Sequence, residues 1–174
     1  MNRRKFMTTS LGALACLSLG GAYYWPRRWR YIVIHHSAGR YGNIEFLQQV
    51  HRERQAHDPI DAIPYHYIIG NGNGLADGDI DSDKRQQWHL WGAHVSHRNR
   101  DRNARGIGIC LIGNLEQTPM TAKQYQTLLS LVKRLMAQYD IPLSNVSGHG
   151  HTEGERTLCP GQHFPMAQFL SDIA

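Results

Sequence analysis

Cysteine is scarce in this chain. Three occur among 174 residues, Cys16, Cys110 and Cys159, an odd number and widely spaced. Such a set excludes a disulfide framework, which small secreted folds build from even, regularly spaced cysteines. No CxxC or HxxxH pair is present either, so the local ligand pairs that close a zinc-finger coordination sphere are missing. Residues 1–22 hold no acidic side chain, only Arg3, Arg4 and Lys5, and without that segment the net charge falls from +5 to +2. That is an ordinary surface. The arginines that remain clustered, Arg98, Arg100, Arg102 and Arg105, alternate with Asn and Asp and lack an aromatic ladder, which excludes a base-stacking nucleic-acid surface. They read as a solvated loop, with contact to an acidic polymer as the alternative. The amino-terminal apolar stretch, Leu11 to Ala22, falls short of the ~20 residues of a comfortable membrane span. Internal repeats and low-complexity segments are also absent.

A chain of this length makes one domain with a single sizeable core. Its first 22 residues have the parts of an export signal: a basic start, then the apolar stretch. Arg3-Arg4-Lys5-Phe6-Met7 resembles a twin-arginine signal, a route that carries folded proteins. Cleavage near Ala22 is the leading expectation, with lipid attachment at Cys16 or retention as a membrane anchor as the other two, so the protein is expected in the periplasm or cell envelope, acting as a monomer. Residues 23–30 read as a connector and 31–174 as the domain.

Apolar periodicity outlines that domain. Tyr31 to His36 reads as a buried strand. Asn43 caps a helix expected to reach about His57, stopped by Asp58-Pro59. Tyr65–Gly70 and Gly74–Gly78 read as a hairpin around Asn71-Gly72-Asn73. Gly106 to Ile112 is almost wholly apolar and so a central strand. Thr121 caps a helix to about Tyr139 with Tyr125, Leu128, Leu129, Val132, Leu135 and Met136 as its stripe. Val146 to Gly148 is a short strand, and Pro165 opens a final helix. Strands interleaved with helices predict an α/β fold, a single mixed β-sheet flanked by helices.

Against this outline His35, His149 and Cys159 stand out. His35 follows the strand run Tyr31-Ile32-Val33-Ile34, and His149 and Cys159 bracket a polar loop. Two neutral imidazoles and a thiolate fill three corners of a Zn²⁺ tetrahedron and leave the fourth open, the pattern of a catalytic site. His151, two residues into the loop, is the alternative to His149, which the end of a strand would hold more firmly.

Five blocks in order carry a resemblance to a known family: Ile32-Val33-Ile34-His35-His36-Ser37; Pro64-Tyr65-His66-Tyr67-Ile68-Ile69-Gly70; Trp91-Gly92-Ala93-His94; Gly106-Ile107-Gly108-Ile109-Cys110-Leu111-Ile112-Gly113-Asn114; and Gly148-His149 with Cys159-Pro160-Gly161. From Trp29 to Phe164 the chain resembles the zinc-dependent N-acetylmuramoyl-L-alanine amidases, which share a fold with peptidoglycan recognition proteins and phage amidase-type lysozymes. The resemblance implies that fold, Zn²⁺ on His35, His149 and Cys159, peptidoglycan or muropeptides as substrate, and hydrolysis of the amide between N-acetylmuramic acid and L-alanine. It places Tyr65 as the group that supports the oxyanion, Thr157 as a second catalytic position where relatives carry Lys or Thr, and His94 and Asn103 along the substrate groove. His36 and His66 read as structural. Cys110 stands where cytosolic relatives acting on anhydro-muropeptides carry Glu, which argues against a strand carboxylate as base; Glu153 or Glu155 would serve only if their loop folds over the metal. The alternative function is a non-catalytic peptidoglycan-binding module, against which the retained Cys159 argues.

Overall fold

The computed structural model describes residues 28–174; the expected export signal, and 23–27 of the connector, lie outside the described residues. The last connector residues are packed into the domain. Trp29 is 2% exposed with its ring edge-on to His66, and Arg28 donates to the carbonyls of Ala104 and His89.

The first strand, β1 (Tyr31–His36), is buried along almost its whole length. Helix α1 (Ile44–Arg54) begins where the Asn43 side chain accepts from the Phe46 N–H, the usual relief for an unpaired first-turn donor. It ends at Arg54, three residues before the expected stop, because Gln55 leaves helical geometry and Asp58 is drawn inward by His51 and Arg85. Strand β2 (Tyr67–Ile69) pairs with β3 (Ile80–Asp81), antiparallel. The expected hairpin partner, Gly74–Gly78, is instead a loop. Gly72, Gly74 and Gly78 all take positive φ, which breaks a strand, and pairing resumes only at Ile80.

Two short helices follow that the sequence outline did not contain, α2 (Lys84–Gln87) and α3 (Arg100–Arg105). The arginine cluster therefore lies largely on a helix, with Arg105 paired to Asp101 and Arg102 stacked over Tyr31. Strand β4 (Gly106–Leu111) is fully buried. Helix α4 (Ala122–Tyr139) starts with a reciprocal Thr121–Gln124 capping box, strand β5 (Val146–Gly148) follows, and α5 (Met166–Ile173) closes the fold.

The five strands lie in the order β3-β2-β4-β1-β5, with β2, β4, β1 and β5 parallel and β3 antiparallel, the mixed sheet expected. Alternation along the strands separates its faces. Ile32, Ile34, Ile107, Ile109 and Leu111 meet Leu128, Leu131, Val132 and Leu135 of α4 and Phe169 and Ile173 of α5 in the larger core. The opposite face carries a smaller cluster of Leu47, Ile63, Ile68, Cys110 and Ile112. His35, paired in register with Cys110, belongs to this second face. Among the described residues no helix is long and apolar enough to cross a membrane.

Candidate metal centre

Strand register brings the ligands together. β1 and β5 are parallel with Ile34 opposite Gly148, so the next residues, His35 and His149, emerge side by side with ring centroids 4.6 Å apart. This is the carboxyl end of the parallel strands, where open α/β sheets place their ligands. Beyond β5 the chain makes a 3₁₀ turn, His149–His151, and then doubles back. The Gly150 N–H donates to the Cys159 carbonyl at 2.5 Å. A Cβ at Gly150 would collide with the Thr157 carbonyl, so the two arms of the loop close only around glycine. The His36 N–H then points at Cys159 Sγ, 3.4 Å away, and His35 Nδ1 lies 3.7 Å from the same sulfur.

His35, His149 and Cys159 each offer a ligand atom, all within 4.8 Å of one another. Ligand bonds of about 2.0–2.3 Å span such a cluster after small side-chain rotations. His151 is exposed and stands outside it, which separates the two candidates in the loop.

The electrostatics suit a cation. Burial, reinforced by the neighbouring imidazoles, holds His35 well below the usual histidine range, so its ring is neutral and has a lone pair to give. Burial lowers His149 as well, against the upward pull of Glu155. Burial pushes the Cys159 thiol up to about 12, although the His36 N–H favours its thiolate. A cation is the partner that would draw off that proton. The donor set, two neutral imidazoles and one thiol converging at a strand end, fits a metal of the zinc type.

Behind each imidazole stands a second group. With Nδ1 of His35 turned to the sulfur, its proton sits on Nε2 and donates to His94 Nδ1 at 3.1 Å; His94 Nε2–H then donates to the Gly106 carbonyl at 3.3 Å. Burial lowers His94 to about 3, which keeps this relay neutral. His94 is thus turned towards His35, with only 5% of it exposed. Asn103 accepts from the His94 and Val95 N–H groups and donates to the Val95 carbonyl, bracing that loop while reaching the groove edge. Thr157 is exposed, its hydroxyl accepting from the Cys159 N–H at 3.2 Å. Glu153 is exposed, and Glu155 is bonded to His149 and Ser96.

Tyr65 flanks the cluster with its ring 5.1 Å from that of His35. Burial, with the nearby Cys110 and Cys159 sulfurs, holds its phenol well above the usual tyrosine range. The hydroxyl therefore stays protonated and able to donate. Cys110 is fully buried, as a packing residue would be, and its thiol is within hydrogen-bonding reach of the Tyr65 phenol. A groove of about 640 Å³ has Gln55, His57, Trp91, Ala93, His97 and Asn103 in its walls and is linked to the cluster through Ser96, which bonds Glu155 behind His149. Arg85, fully buried, holds that wall by donating to the carbonyls of Ile63 and Trp91 and pairing with Asp58. No sequence signal marked Arg85, since a charged residue between two turns reads as exposed.

A profile of the N-acetylmuramoyl-L-alanine amidase family matches residues 25–162. Among known proteins, peptidoglycan-recognition protein SC2 of Drosophila melanogaster is 27% identical over 136 residues, spanning 75% of this chain and 67% of that one. The 1,6-anhydro-N-acetylmuramyl-L-alanine amidase AmpD of Enterobacter cloacae is 36% identical over 89 residues, 50% of this chain and 45% of its own length. Among solved structures, the N-acetylmuramoyl-L-alanine amidase LysC from Clostridium intestinale superposes with a TM-score of 0.68 at 25% identity, covering 84% of this chain and 87% of that one.

Proposed function

The chain belongs to the N-acetylmuramoyl-L-alanine amidase family, and from that premise we propose that it hydrolyses the amide between the lactyl group of N-acetylmuramic acid and L-alanine, with Zn²⁺ held by His35, His149 and Cys159. The observation that carries this reading is the convergence of those three side chains, Cys159 included, at the carboxyl end of the parallel strands. Zinc in such a site polarises a carbonyl and makes water nucleophilic near neutral pH. The protein's own residues do the rest. His94 holds the His35 ring in the tautomer that presents Nδ1, and Tyr65, kept protonated by burial, donates to the oxygen on which charge develops. Thr157 fixes the Cys159 backbone and brings no charge of its own, so charge stabilisation rests on the metal and Tyr65. The groove would seat the glycan and stem peptide, with Asn103 at its edge. The amino-terminal segment, read as an export signal, would deliver the domain to the wall.

Metal analysis paired with digestion of purified peptidoglycan tests the reading. The wild-type protein should carry about one zinc per chain and release stem peptides that begin with L-alanine, leaving glycan strands intact on mass spectrometry. Cys159→Ala should lose both metal and activity while keeping its fold. Shortened glycans would point to a glycosidase. An unchanged wall that sediments with the protein would point to the binding module instead.

A further inference from the structure

We infer that Glu155 is a positioning residue for this metal centre, orienting His149 from behind while tying the ligand loop to the groove wall. The inference rests on the metal-site reading above. Glu155 Oε2 lies 3.1 Å from His149 Nε2, so the ring proton is held there and Nδ1 keeps the lone pair that a metal would take. The same carboxylate accepts from the Ser96 hydroxyl at 2.8 Å and from the Ser96 N–H at 3.2 and 3.3 Å. Ser96 lines the groove, and Asn99, three residues on, donates to the Glu153 carbonyl at 3.0 Å. Two segments, with Ser96 and Glu155 59 residues apart in sequence, are thereby stapled together, chiefly through the Glu155 side chain.

The charge balance points the same way. The Glu155 side chain is only 5% exposed, and a buried carboxylate is costly unless a positive charge answers it. Its hydrogen-bond donors are an imidazole, a hydroxyl and a backbone N–H, none of which brings a formal charge while the imidazole is neutral. A cation on the far side of the His149 ring would supply that charge through the ring, the carboxylate–histidine–metal arrangement that raises ligand basicity and fixes ring orientation. His35 has no such carboxylate, only the neutral His94 relay. The two imidazoles are therefore unequal ligands.

The test measures Zn²⁺ affinity by competition with a chromophoric chelator, and the visible spectrum of the Co²⁺-loaded protein, for wild type, Glu155→Gln, Glu155→Ala and the exposed control Glu153→Ala. Glu155→Ala should bind zinc about 10- to 100-fold more weakly and shift the cobalt bands. Glu155→Gln, which keeps the shape but not the charge, should show a smaller loss in the same direction and stands in for the Ala variant should that one not fold. Glu153→Ala should match wild type. Unchanged affinity and an unchanged cobalt spectrum in both Glu155 variants would overturn the inference while leaving the metal site intact. A wild-type protein that takes up no stoichiometric metal would instead sink the metal-site reading itself.

Discussion

Tyr65 shows how much a single side chain can owe to its neighbours. A tyrosine on a strand approach is usually packing, and this one does touch the small core. What sets it apart is its ring against His35 and a phenol that burial keeps protonated far beyond neutral pH. A donor of that kind matters only once negative charge develops. Tyr65→Phe should therefore retain zinc and leave KM near wild type while kcat falls by roughly 10²–10³, the scale for loss of one oxyanion donor. An equal loss in KM would assign the hydroxyl to substrate binding. At the same scale, His151→Ala should leave zinc content unchanged and His149→Ala should abolish it, since only His149 lies in the ligand cluster.

Strand β4 makes the corresponding point for an element. Gly108 lies in its middle, and a Cβ there would meet the His94 ring at 2.6 Å. Because His94 is buried and bonded at both nitrogens, the ring cannot swing aside. Gly108→Ala should cost about 1–3 kcal/mol of stability, the range for overpacking a filled interior, and should weaken zinc binding by moving His94 off His35; denaturant melts with and without zinc would show both. The sequence made β1, β4, β5 and α4 legible because their apolar runs and caps are local signals, and it reached His35, His149 and Cys159 through strand ends and a recognisable loop. It missed where its own hairpin paired, since Gly72, Gly74 and Gly78 resemble turn residues equally well in a tight hairpin and in a longer loop. It also gave no hint of the His35–His94 relay, of Arg85 or of the Glu155–Ser96 staple. Those depend on contacts between distant segments, which no local pattern encodes.

For the whole molecule the relevant feature is a set of buried neutral imidazoles. His35 and His66 are held well below the ordinary 6.5, and His94 falls to about 3, in each case chiefly by burial. The unfolded chain takes up protons on these rings as pH falls through 6.5, whereas the folded chain does not until far lower. Between those limits the unfolded state binds more protons, so stability drops as pH drops, by about 1.4 kcal/mol per pH unit for each ring. Melting temperatures measured in chelator should hold steady above pH ~6.5 and fall steeply towards pH ~5; a flat profile over that interval would contradict the burial of these rings. The sheet also has a consequence in time. His35 stands on the first strand and Cys159 lies 124 residues later, beyond the last strand. During synthesis no partial chain can assemble the three-ligand clasp until Cys159 has cleared the ribosome, so a cation that binds there can stabilise only chains made past that residue and acts as a late seal on the sheet.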